Sequence, residues 1–107
     1  MGFPRHHASE VGRRVLHLRR ALGFESAKSF ADAIGVKPQE LSAWERGERR
    51  PGIAKTVPMM ERYGITLDWL YLGIVKSLPH DLLLRIEQVE RMNALRDEVS
   101  APTEGEE

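Results

Sequence analysis

The stretch Ser26 to Gly47, SAKSFADAIGVKPQELSAWERG, decides the fold. Ser26 suits an N-cap, Gly35 breaks the chain after one short helix, and Pro38 suits the first turn of the next. Phe30, Ala31, Ile34, Val36, Leu41 and Trp44 fall at spacings that let two helices pack on each other at a steep angle. Ala31 has to be small where those helices touch, because a larger side chain there overpacks the contact. Two short helices joined in this way form a helix-turn-helix.

Upstream, Met1 to Ala8 lacks apolar periodicity and reads as a loose N-terminal arm. The adjacent His6 and His7 have no Cys and only the distant His17 and His80 to join them, so a solvated arm is preferred to a metal site. Residues 9–22 are expected to form a helix capped by Ser9, with Val11, Val15, Leu18 and Leu22 on one face. Arg13, Arg14, His17, Arg19 and Arg20 occupy the other faces, and for Arg13, Arg14 and Arg20 a solvated surface and a phosphate contact are both open readings.

Downstream, residues 47–52, GERRPG, are a basic turn in which Arg49 and Arg50 are either solvated or phosphate contacts. Residues 53–63 read as a helix with Ile53, Val57, Met60 and Tyr63 inward, and Pro58 requires either a kink or a late start near Thr56. Thr66 caps a short helix to Leu72 in which Leu67 and Leu70 complete the core. Trp69, Tyr71 and Leu72 are too large to be hidden by so short an element, and they suggest a partner surface, most simply a second copy. Residues 77–99 form an amphipathic C-terminal helix carrying Leu82, Leu83, Ile86, Val89, Met92 and Leu95, which either packs back or dimerises, with Asn93 placed to set register in a pair. Residues 100–107 read as a disordered acidic tail.

The segment from Val11 to Gly73 resembles the helix-turn-helix of Cro/repressor-type (XRE family, lambda-repressor-like) transcriptional regulators. The marks are Ala31, Gly35 four residues on, Leu41 and Trp44 on the buried side of the second helix, and Glu45-Arg46-Gly47 closing it. The resemblance implies an all-α, five-helix DNA-binding domain over residues 9–73, here with an additional C-terminal helix. It further implies a partly buried ion pair between Arg19 and Glu45. If the motif docks as in that family, the second helix enters the major groove, so Pro38, Gln39, Glu40 and Ala43 are the expected base-reading residues. A Gln39 amide can bond adenine N6 and N7, Glu40 can accept from cytosine N4, and Ala43 offers apolar contact. Lys37, Ser42, Arg46, Arg49 and Arg50 join Arg13, Arg14 and Arg20 as expected phosphate contacts. Ala27 stands where the family often has a phosphate-binding Gln, and Glu40 adds acid to the reading face, so binding should lean on Gln39, the arginines and dimerisation.

Composition agrees with a small DNA-binding protein only after the chain is divided. The formal net charge is zero over 107 residues. Met1 to Gly52 nevertheless holds ten Lys/Arg against six Asp/Glu, a net +4, while Ile53 to Glu107 holds six against ten, a net −4. The basic half contains the motif. No Cys, no clustered His-carboxylate set and no Gly-rich phosphate loop is present, so enzyme chemistry and a cofactor are not expected. Without a signal-peptide or membrane-length apolar run, the expected location is cytoplasmic.

The expected function is sequence-specific binding of double-stranded DNA, as a repressor acting as a homodimer on a palindromic operator, with dimer contacts from Trp69, Tyr71, Leu72, Leu82, Ile86 and Val89. The alternative is a protein-binding module, such as an antitoxin or adaptor subunit, built on the same fold. No ligand-sensing domain is evident after Gly73.

Overall fold

The computed structural model describes residues 3–105, with side chains to residue 96. Among the described residues there are six helices and no strand: α1 (Ala8–Ala21), α2 (Ala27–Ile34), α3 (Pro38–Glu45), α4 (Ile53–Tyr63), α5 (Leu67–Leu72) and α6 (His80–Gly105). The all-α class and the additional C-terminal helix are as expected.

One apolar core joins all six. Val11, Val15 and Leu18 of α1 meet Phe30, Ala31 and Ile34 of α2, Leu41 and Trp44 of α3, Met59 of α4, and Trp69 and Leu70 of α5. Leu78, Leu82 and Ile86 close it from the α6 side. Each such side chain contributes about 1.5 to 3 kcal/mol on burial, so the core rather than helix propensity holds these short elements in place.

Helix α1 is the hub, packed on α3 along one side and on α6 along another. Gly12 permits the first contact: a Cβ there would sit 2.0 Å from the Trp44 carbonyl oxygen. The cap of α1 is His7 rather than Ser9, with the His7 Nδ1 accepting the Ser9 N–H at 3.0 Å. The imidazole satisfies an N–H that the helix cannot.

The arm is held. Arg14 Nη1 donates to the Arg5 carbonyl and to the Leu70 carbonyl, each at 2.9 Å, and Arg50 Nη1 donates to the His6 carbonyl at 3.2 Å. Phe3 stacks on His7 with ring centroids 4.0 Å apart. Residues 3–7 therefore run over the body instead of standing free of it.

Three expectations about the later helices change. Helix α4 begins at Ile53 with Pro58 inside it, and its inward face is Thr56 and Met59, with Met60 and Tyr63 half-buried. Ile53 and Val57 are exposed, so half of the expected stripe points outward. The buried Thr56 hydroxyl donates to the Ile53 carbonyl at 2.6 Å, so a polar group sits inside at no loss of hydrogen bonding. In α5, Trp69 is buried at 3% exposure together with Leu70, while Leu67 is half-buried. Helix α6 packs back on α1, which buries Leu82 and Ile86 within the chain. That helix also continues to Gly105, where the sequence reads as a disordered tail from Ser100, and residues 106 and 107 lie outside the described part.

Candidate nucleic-acid interface

The site is built on the turn between α2 and α3. The Ser26 hydroxyl accepts the Ser29 N–H at 3.1 Å to start α2, and Gly35 ends it in the left-handed region at φ 77°. That conformation lets the Val36 N–H return to the Ala31 carbonyl at 3.0 Å and sends the chain into α3 within three residues. Pro38 opens α3 at the position where a missing N–H costs nothing.

The base of α3 is locked by the pair that the family resemblance implies. Arg19 Nε lies 2.8 Å from Glu45 Oε2, and Arg19 Nη2 lies 3.3 Å from Glu45 Oε1. Arg19 Nη1 also donates to the Phe24 and Glu25 carbonyls at 3.0 and 2.8 Å. The guanidinium thus joins α1, the α1–α2 loop and the end of α3. Both side chains are nearly buried, at 10% and 12% exposure, so each depends on the other for its charge.

On the outer surface, Lys37 and Gln39 are exposed, while Pro38 and Ser42 are half-buried. Gln39 is the residue most free to reach a base edge. Ala43 is at 9% exposure and belongs to the packed side, so it leaves the set of base readers. Glu40 is half-buried and lies 3.4 Å from Lys55 Nζ on α4, which neutralises the acid that the sequence places on the reading face. Lys55 was invisible to a reading by local periodicity, because its partner lies on another helix.

The expected phosphate contacts divide. Arg49 is exposed beside the end of α3. Arg46 is exposed but forms a fork with Glu48, at 2.7 and 3.1 Å, and this hydrogen-bonded pair raises the Arg46 pKa and lowers that of Glu48. Arg50 is exposed and is engaged with the His6 carbonyl. The turn itself is anchored by the Tyr71 hydroxyl, which donates to the Pro51 carbonyl; partial burial raises the Tyr71 pKa. Tyr71 therefore braces the interface instead of standing free for a partner.

Arg14 and Arg20 are engaged within the chain. Arg14 is the strut between the arm and Leu70, its pKa lowered chiefly by burial. Arg20 Nη1 donates to Asn93 Oδ1 at 3.0 Å, and Arg13 lines the surface grooves between α1 and α6. Arg20 and Arg13 thus lie on the side of α1 that faces α6, and Arg14 on the side that faces the arm and α5. Asn93, expected to set the register of a paired helix, instead meets His17 Nε2 at 2.9 Å as well as Arg20.

The dimer surface is corrected as well. Trp69, Leu82 and Ile86 lie in the core, and Val89 packs against it. Of the expected residues, Leu72 alone stays openly exposed, at 39%, next to exposed Ile74 and Val75.

A short helix seated through a tight turn on its predecessor, within an all-α scaffold, is a helix-turn-helix arrangement. Residues 18–70, from the last turn of α1 to α5, match the model of the helix-turn-helix family, and the match supports a DNA-binding regulator of the XRE type. That family is one of DNA binding rather than of enzymes. No curated protein and no solved structure matches the chain. No helix among the described residues is long and apolar enough to cross a membrane, and no group of three or more His, Cys, Asp or Glu among them could hold a metal ion.

Proposed function

We propose that the chain is a cytoplasmic, sequence-specific transcriptional repressor that binds a palindromic operator as a homodimer. The observation that carries the reading is the exposure of Gln39 at the first turn of α3, on a helix whose other end is fixed by Arg19 and Glu45. A base-reading amide needs such a rigid mount, because a bidentate bond to adenine tolerates little displacement. Lys37 and Arg49 flank it as free cations for the phosphates. Arg46 and Arg50 add charge at and beyond the C-terminal end of α3, and Ser42 a hydroxyl along it.

One such domain reads few base pairs, so two copies on half-sites about 34 Å apart form the working unit. The exposed Leu72, Ile74 and Val75 are one apolar surface open to that contact. Selection of bound sequences from a random DNA pool, followed by a promoter reporter carrying the selected site, tests the whole reading. A symmetric site whose occupancy lowers reporter output supports it; retention of no sequence above background overturns it.

Within that site, Gln39→Ala relaxes preference at one base pair by about 1 to 3 kcal/mol, whereas Arg49→Ala weakens cognate and random DNA alike and reduces the salt slope by about one. Equal effects of both variants on cognate and random DNA would refute this division between reading and anchoring.

A further inference from the structure

On the face of α1 turned away from α3, α6 leaves an open groove of about 530 Å³, lined by Arg20, Ala21, Glu25, Arg85, Val89 and Met92, with Asn93 and Arg96 at one end. That volume lies within the range of small-molecule pockets, about 300 to 1,000 Å³. Ala21 and Val89 provide an apolar floor, and the thioether of Met92, at 54% exposure, borders it without a protein partner to cover it. Three guanidiniums stand around that floor against the one carboxylate of Glu25. Among the described residues neither Arg85 nor Arg96 joins an ion pair. The Arg20 guanidinium is already oriented, by its 3.0 Å bond to Asn93 Oδ1.

This arrangement is unlike a solvated helix face. The second half of the chain carries a net charge of −4, yet α6 turns Arg85 and Arg96 toward the one arginine that α1 places opposite. Arg85 and Arg96 lie about 16 Å apart along α6, so they mark the two ends of the floor, and Arg96 shares its end with Arg20 and Asn93. A planar carboxylate is the natural partner of a guanidinium fork, and an attached hydrocarbon body fits beside Val89 and Met92.

We propose that the groove between α1 and α6 binds a small apolar carboxylate. The carboxylate sits between Arg20 and Arg96, and its hydrocarbon part lies along Ala21, Val89 and Met92 toward Arg85. Such a ligand spans the two helices that hold α6 to the DNA-binding domain. Sensing would then need no separate domain.

The test is titration of the full chain with octanoate, followed by backbone amide resonances and thermal unfolding. Saturable shifts centred on Arg85, Val89 and Met92 are expected, with a rise of roughly 5 to 10 °C in the unfolding midpoint at ten times the dissociation constant. Arg96→Glu, at an exposed side chain on the rim of the groove, should weaken octanoate binding at least tenfold, Arg85→Glu should weaken it less, and both should leave the chain folded with unchanged DNA affinity. Inorganic phosphate, which offers charge without a hydrocarbon body, should bind at least tenfold more weakly. Shifts that fail to saturate, binding that survives both charge reversals, or phosphate binding as tight as octanoate would each overturn the proposal. A parallel loss of DNA affinity in the two variants would assign the arginines to DNA and overturn it too.

Discussion

Gly12 shows how far a single residue can carry the geometry of the site. In an exposed helix, glycine is less favourable than alanine by about 1 kcal/mol. Here the added methyl would lie 2.0 Å from the Trp44 carbonyl, so α1 and α3 must separate to admit it. Gly12→Ala is therefore expected to destabilise by about 1 to 3 kcal/mol, the reverse of the propensity effect, as measured by urea unfolding. Arg19→Met should cost about 3 to 5 kcal/mol, because it leaves Glu45 without its partner in a nearly buried position along with two carbonyls. Unchanged folding in the Arg19 variant would remove the pair's architectural role. The Arg19 pair was legible through the closing Glu-Arg-Gly sequence, whereas nothing local to Gly12 shows that a backbone from another helix passes over it. The same limit applies to Ala43: helical spacing alone leaves it outward, and only the packing around α3 covers it.

At the scale of elements, Pro38 opens α3 where expected, and α2 follows its sequence signals at both ends, Ser26 as cap and Gly35 as breaker. Helix α4 does not. Pro58 sits inside it, and the apolar positions turn by one residue, so that Thr56 and Met59 face inward where Val57 and Met60 would be expected to share the stripe. A buried threonine is hard to foresee in sequence, since its hydroxyl is satisfied by its own helix. For α6 the sequence left packing back and dimerising both open, and the contact with α1 closes that choice for Leu82 and Ile86. A chain ending at Lys76 loses Leu78, Leu82 and Ile86 from the core, each worth about 1.5 to 3 kcal/mol, against a total stability of about 5 to 15 kcal/mol for a domain of this kind. Loss of cooperative thermal unfolding in that fragment is the expected result.

The seam between α1 and α6 also carries a pH dependence. His17 is buried there, faced by Arg13 and Arg20 from α1 and by Glu90 and Asn93 from α6. Its pKa is lowered from 6.5, first by burial and then by Arg13 and Arg20. Glu90 approaches His17 Nδ1 at 3.7 Å, yet its own pKa is raised by burial and by Glu87, so desolvation outweighs the attraction between the two. The unfolded chain takes up the histidine proton first. Stability from neutral His17 is thus complete above the ordinary 6.5 and declines as pH falls below it toward the depressed native value. Glu90 acts with the opposite sign, between its raised native value and the ordinary 4.5. Urea unfolding from neutral pH downward should show the loss, and His17→Gln should flatten its upper part.

Taken as a whole, the molecule separates its two long surfaces by one helix. α1 presents Gly12 to α3 and His17 with Arg20 to α6, so the proposed reading helix and the arginine-lined groove share a single support. The charge division of the sequence follows that plan only in part. The basic half supplies Lys37 and Arg49 to the interface, but Arg14 and Arg20 are spent on holding the arm and α6. Both indoles, Trp44 and Trp69, lie at 1% and 3% exposure in the interior. Their light emission consequently reports whether the chain is folded, and a collisional quencher reaches neither until the core opens. A DNA duplex, a small anion or a second copy could each occupy the outer surface while the protein's intrinsic fluorescence stays nearly dark to the event, so these encounters call for an added label.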